Sequence, residues 1–125
     1  MVTTSRREQE ILILASDAHF RIAMKQALSS QGYRRLRALR FSDAFTGAVE
    51  AAPFLCVLCL DERGCELAMD VVGQLRQKSP RVNFIIITET ASQTAELPIP
   101  DHDNFQVLSR PFVMLEFIAA VDRAV

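Results

Sequence analysis

The chain has 125 residues and a formal net charge of −1, and half of its residues are apolar. This length suits one domain, 1–125, which can bury enough surface to fold without a disulfide or metal. No apolar run reaches the roughly 20 residues of a transmembrane helix, and the first ten residues are too polar for a signal peptide. The composition therefore excludes a membrane span, and the net charge does not indicate a nucleic-acid partner.

The three cysteines indicate free thiols in a reducing, cytoplasmic compartment, because their number is odd and two of them lie in an apolar run. Cys56 and Cys59 have the spacing of a C-x-x-C motif. On an extended strand, residues three apart point to opposite faces, so the pair is a poor chelate and a poor disulfide. A thiol-based sensor using Cys59 or Cys65 stays open as an alternative, with Cys65 at the predicted start of a helix.

The first third of the chain alternates between strand and helix patterns. Residues 1–9 form a polar, flexible end, and Ile11–Leu14 is a short apolar run that predicts a buried strand. Ser16 or Asp17 can cap the following helix, which Gly32 ends. Its apolar face is predicted to contain five residues: Phe20, Ala23, Met24, Ala27 and Leu28.

Residues 34–40 carry four arginines and predict a strand near the sheet edge, with the arginines facing water. An anion or nucleic-acid patch is the alternative. A helix over 42–52 then ends at Pro53. Residues 54–60 are uninterrupted apolar positions followed by Asp61, which predicts a central strand buried on both faces.

The second half continues the alternation. Residues 65–77 predict a helix, 84–88 a strand, 105–108 a short strand and 113–125 a last helix. The apolar stripe of that helix is predicted to contain Leu115, Ile118, Ala119 and Val121, followed by Asp122. Between 89 and 104, Pro98 and Pro100 exclude a long helix.

Strand–helix alternation throughout predicts an α/β fold: a doubly wound, five-stranded parallel sheet with helices on both faces. Neither glycine-rich phosphate loop occurs, and there is no G-x-S-x-G. His19 and His102 are far apart and predicted to be surface residues. In such sheets, ligands collect at the carboxyl ends of the strands, where Cys59 and Asp61 lie.

The order and spacing of these features resemble the receiver domain of two-component response regulators, over nearly the whole chain. Ile11–Leu14 is similar to the family's first strand, and Arg21 and Gly32 follow at the family's spacing. Thr88 falls where the family places its switch hydroxyl. The turn of Ser109, Arg110, Pro111 and Phe112 is similar to the family's Lys-Pro-Phe turn.

The chain departs from the family at the phosphorylation site that the resemblance implies. The acidic pair that holds magnesium in receivers falls on Ala15 and Ser16, with Asp17 one residue further on. The phosphorylated aspartate falls on Cys59 in one register and on Asp61 in another, and the sequence leaves both open. Arg110 replaces the family's lysine and presents its charge as a planar fork.

These departures predict a degenerate receiver-like domain that acts in bacterial signal transduction as a phosphorylation-independent interaction module, with no enzymatic activity and no cofactor. The alternative is an atypical receiver phosphorylated on Asp61, with Mg²⁺ held by Asp17 and Asp61. Because the predicted last helix runs to Val125, we expect the domain to be the N-terminal part of a longer chain, with a protein partner or a linked output domain. The resemblance also implies a homodimer through the family's fourth-helix to fifth-helix face, where Pro98, Pro100, Phe105 and Phe112 lie and where the fourth helix is predicted short or disrupted.

Overall fold

The computed structural model describes residues 8–40, 53–60, 64–78, 81–89 and 105–125, with the backbone alone over 64–69. Five strands and three helices lie in these ranges. The strands are β1 (Ile11–Leu14), β2 (Leu36–Leu39), β3 (Leu55–Cys59), β4 (Asn83–Thr88) and β5 (Phe105–Ser109). The helices are α1 (Ala18–Ser30), α2 (Gly64–Lys78) and α3 (Met114–Ala124).

The five strands form one parallel sheet in the order β2-β1-β3-β4-β5, which confirms the predicted fold class. This is the flavodoxin-like order of doubly wound sheets. The apolar run predicted as the central strand is indeed central: β3 pairs with β1 on one side and β4 on the other, and all five of its residues are buried. β2 lies at the sheet edge, as its arginines predicted.

Helices cover both faces of the sheet because each strand buries side chains on both sides. On one face, Val71, Val72 and Leu75 of α2 pack with alternate strand residues. On the other, α1 and α3 supply five buried residues: Met24, Leu28, Phe117, Ala120 and Val121. Cys56 belongs to the first cluster and Cys59 to the second, so the two thiols lie on opposite faces as predicted.

Helix α1 has the predicted ends but a narrower buried face than its sequence indicated. Asp17 is the N-cap, and Gly32 follows the helix with a φ of 93°, a conformation that glycine adopts without a Cβ penalty. Met24 and Leu28 are buried, but Ala23 is exposed, so its predicted inward position is wrong. Residues four apart, such as Met24 and Leu28, share a helix face. Ala23 directly precedes Met24, so its side chain points to a different side of the helix.

The buried stripe of α3 also differs from the prediction. Leu115 is 74% exposed and Ala119 is exposed, whereas Phe117, Ala120 and Val121 are buried. Residues 114–121 are apolar at every position except Glu116, so the pattern alone does not determine which side faces the sheet. Packing against α1 and the sheet selects Phe117, the largest apolar side chain of the helix, for burial.

Two predictions fall outside the described residues: the helix over 42–52, and the disruption of the family's fourth helix by Pro98 and Pro100. In the parts of the chain that the structure describes, no helix combines the length and apolar character needed to span a bilayer.

Candidate functional site

A small cleft of about 110 Å³ opens at the carboxyl edge of the sheet, where the loops after β1, β3, β4 and β5 meet. This is the edge at which ligand sites of doubly wound sheets form. Eight of the residues that the structure describes line the cleft: Ala15, Ser16, Asp17, Phe20, Cys59, Leu60, Glu89 and Arg110. The structure therefore brings together residues from four separate segments.

The side chain of Arg21 holds the loop after β1 through the backbone carbonyls of that loop. Ala15 is buried, and its carbonyl accepts a hydrogen bond from Nη1 of Arg21 at 2.6 Å. The same nitrogen donates to the Ser16 carbonyl at 3.1 Å. Arg21, which resembled a family residue only by spacing, thus fixes the path of this loop.

Asp17 is exposed, and its carboxylate serves as the N-cap of α1. Its Oδ1 accepts hydrogen bonds from the backbone N–H groups of His19 and Phe20, at 2.8 and 3.3 Å. A carboxylate at this position satisfies orphan amides of the first helical turn and is stabilised by the helix dipole.

Cys59, the last residue of β3, is buried at the floor of the cleft. Its Sγ lies 3.8 Å from Sδ of Met24, and it is 4% exposed. Burial raises the pKa of the Cys59 thiol to about 12, although the nearby charge of Arg110 partly opposes this. The thiol is therefore protonated at neutral pH, which disfavours it as a nucleophile or redox sensor.

Arg110 reaches the cleft from the end of β5. Its backbone N–H donates to the Thr88 carbonyl at 2.8 Å, and its guanidinium carbon lies 4.0 Å from the centroid of the Phe20 ring. This is a close cation–π contact. Phe20 in turn lies beside Phe112, with ring centroids 6.2 Å apart. Arg110 is thus anchored to α1 by an aromatic ring.

Thr88 and Glu89 mark the end of β4. Thr88 is fully buried, and its Oγ1 donates to the Leu108 carbonyl at 3.4 Å. Glu89 follows and lines the cleft from an exposed position. Thr88 was predicted as a site residue, but Glu89 was not. Glu89 directly follows a predicted strand, and this position would have indicated a place at the carboxyl edge of the sheet.

A wider cleft of about 480 Å³ adjoins the first, between the beginnings of α1 and α3. Its apolar lining comes from Phe20, Pro111, Phe112 and Met114, and its polar lining from Asp17, His19 and Arg110. Pro111, which follows Arg110 through a cis peptide bond, therefore lies beside the predicted site.

The remaining site predictions have different outcomes. Phe105, which was predicted for the interaction face, stacks its ring on that of Phe84, with centroids 5.0 Å apart. Asp61, Pro98 and Pro100 lie outside the described residues, as does the side chain of Cys65. Phe20 was predicted only as a core residue, and its contact with Arg110 was missed because the two are 90 positions apart.

The described lining of the cleft offers few ligands for the Mg²⁺ ion that the resemblance implies. Mg²⁺ requires hard oxygen ligands in near-octahedral geometry. Ala15 has no side-chain donor, Cys59 offers a protonated thiol, and of the two described carboxylates in the lining, Asp17 and Glu89, that of Asp17 is engaged in capping. Among the described residues, no three His, Cys, Asp or Glu side chains lie close enough to hold a metal.

The comparisons with known proteins show the fold. Neither a scan of protein-family models nor a search of curated proteins finds a match to the sequence. Among solved structures, the chain is similar to a response regulator receiver protein from Sinorhizobium medicae, with a TM-score of 0.77, 20% identity and 96% of both chains covered. It is also similar to the receiver domain of NtrX from Brucella abortus, with a TM-score of 0.75, 18% identity, and 92% of this chain and 97% of that chain covered.

A longer NtrX chain from Brucella abortus matches with a TM-score of 0.76 and 18% identity. There the match covers 94% of this chain but 26% of that one. At these identities the likeness establishes a receiver fold.

Proposed function

We propose that this chain is a receiver-like signalling domain of bacterial two-component systems that acts by binding another protein and not by accepting a phosphoryl group. The observation that carries the proposal is the buried, protonated Cys59 at the end of β3, facing a cleft whose first loop supplies Ala15 and Ser16. In this proposal Cys59 occupies the phosphoacceptor position.

The chemistry of phosphoryl transfer supports this reading. Bringing a phosphodonor to a carboxylate opposes like charges, and a metal ion and a cation offset that repulsion. The described cleft retains the cation, Arg110, but pairs it with the Phe20 ring. It presents a thiol at the strand end and lacks an acidic pair after β1. The domain needs neither Mg²⁺ nor another cofactor in this proposal.

An interaction role also has support at the surface of α3. Val113 and Leu115, two positions apart, are 60% and 74% exposed. These exposed fractions are high for large apolar side chains. We propose that this surface contacts a protein partner, a linked output domain or a second copy of the chain. The longer NtrX chain, of which the match covers 26%, is an example of a receiver fold within a longer polypeptide.

The test is incubation with Mg²⁺ and a small phosphodonor such as acetyl phosphate, followed by intact-mass measurement, with a phosphorylatable receiver domain as positive control. The expected result is no mass gain and no rise in melting temperature with Mg²⁺. A phosphoryl gain that disappears in Asp61→Asn would instead establish the atypical acceptor. A phosphoryl gain that survives in Asp61→Asn would also refute the proposal, because it would mean that another residue accepts the phosphoryl group.

A restoring variant tests the stated cause. Ser16→Asp combined with Cys59→Asp supplies carboxylates on both sides of the cleft, and we expect it to gain a Mg²⁺-dependent rise in melting temperature. Ser30→Asp combined with Gln77→Asp, on exposed positions near the ends of α1 and α2, adds the same number of carboxylates and is the matched control. If Mg²⁺ raises the melting temperature of both variants equally, the lack of carboxylates in the cleft is not the reason for the expected weak Mg²⁺ binding.

The interaction surface has its own test. Sedimentation velocity measures whether the chain self-associates, and Leu115→Glu is expected to abolish any dimer, with Ile22→Glu on α1 as control. A dimer that is unaffected by Leu115→Glu would place the contact elsewhere.

A further inference from the structure

A second charged surface lies at the amino edge of the sheet, opposite the cleft. Arg34, Arg35, Leu36 and Arg37, at the start of β2, line a groove of about 360 Å³ together with Glu10. Arg34 is exposed, and the Arg35 side chain is 64% exposed. Among the described lining residues, three guanidinium groups against one carboxylate give a local charge of +2, in a chain whose net charge is −1.

The arginines are arranged so that carboxylate oxygens fit between them. Glu10 Oε1 lies 2.5 Å from Nη2 of Arg37, and its Oε2 lies 3.8 Å from Nη2 of Arg35. Arg34 forms no ion pair with any described acidic residue. Because guanidinium groups bind carboxylates in a planar fork, the groove has the capacity for more carboxylate than Glu10 supplies.

The backbone beside this groove is a sheet edge. Among the described strands, β2 pairs with β1 alone. The carbonyls of Arg35 and Leu39 accept hydrogen bonds from Ile11 and Ala15 of the β1 segment. In a parallel ladder, successive residues of a strand direct their backbone N–H and C=O groups to opposite sides. Leu36 and Ala38 therefore direct theirs away from β1. An extended segment can therefore run along this edge while its side chains reach the arginines.

We propose that the amino end of β2, through Arg34, Arg35 and Arg37, binds an extended acidic peptide segment of a partner protein. Nucleic acid is the less favoured ligand, because three cations neutralise few phosphates and the described residues of the lining include no aromatic side chain for base stacking. This inference does not depend on the state of the cleft at the other edge of the sheet.

The test uses fluorescence anisotropy with a short labelled peptide of alternating glutamate and threonine, a lysine–threonine peptide as its negative control, and a short DNA duplex. Arg34→Gln combined with Arg35→Gln is expected to weaken binding of the acidic peptide about tenfold. The matched control is Lys25→Gln combined with Arg81→Gln, which removes the same charge from exposed positions on α1 and before β4. Its effect is expected to stay below about twofold, as for surface charges outside a binding site.

A variant that is expected to tighten peptide binding distinguishes an effect on the binding site from a loss of folding. Glu10→Gln removes the internal competitor, so it is expected to tighten peptide binding about threefold. The proposal is overturned if the acidic peptide does not bind, if the control pair weakens it equally, or if Glu10→Gln has no effect. Tighter binding of the duplex, lost in the Arg34 and Arg35 variant, would replace the acidic peptide with nucleic acid.

Discussion

The contact between Arg110 and Phe20 determines how the cleft presents its cation, and a double-mutant cycle can measure it. The guanidinium carbon lies 4.0 Å from the ring centroid, well inside the roughly 6 Å range of cation–π attraction. Both residues are half-buried, so the energy should fall between the ~0.5–1 kcal/mol of exposed pairs and the ~2 kcal/mol of desolvated ones. We expect a coupling energy of about 1 kcal/mol.

The cycle uses Phe20→Leu and Arg110→Gln, singly and together, with urea unfolding as the assay. Phe20→Leu also loses the ring contact with Phe112, so alone it should cost about 1.5–2 kcal/mol. Arg110→Lys keeps the charge but not the planar fork, and it should retain only part of the coupling.

Arg123→Gln is the control partner for Phe20→Leu, because Arg123 donates to Gln106 and not to the Phe20 ring. That pair should be additive within about 0.3–0.5 kcal/mol. If Phe20 and Arg110 couple by less than ~0.3 kcal/mol at unchanged m-values, the contact does not anchor Arg110 and the description of the cleft is wrong.

The Cys59 thiol, the Tyr33 hydroxyl and the Asp17 carboxylate each stabilise the fold in a way that one substitution removes. Because the Cys59 pKa rises from 9.0 to about 12, the folded protein keeps a proton that the unfolded chain loses, so this stabilisation is complete below pH 9 and declines towards pH 12. Urea unfolding across that range should show a shallower decline in Cys59→Ala. Tyr33→Phe removes the hydrogen bond that the buried tyrosine donates to Asp122 of α3, and should cost about 1–2 kcal/mol in the same assay; an unchanged midpoint would contradict this. Asp17→Ala removes the N-cap of α1 and should cost about 1 kcal/mol, whereas Asp17→Ser should restore most of it.

Much of the fold could be predicted because it follows from local patterns. Short apolar runs separated by helical spacing predicted a parallel sheet, and the five apolar residues of β3 predicted a strand buried on both faces. Asp17 and Gly32 mark the ends of α1 through capping rules that act within one turn. The opposite faces of Cys56 and Cys59 follow from the two-residue period of a strand.

Contacts between segments far apart in the chain depend on the tertiary packing and could not be predicted from the sequence. Tyr33 meets Asp122, and Phe20 meets Arg110, because α1 and α3 pack side by side on the same face of the sheet. Packing also selected Phe117 over Leu115 for burial in a helix that is apolar on several sides. Local periodicity carries no information about such pairs, since their geometry depends on how separate elements fill one shared core.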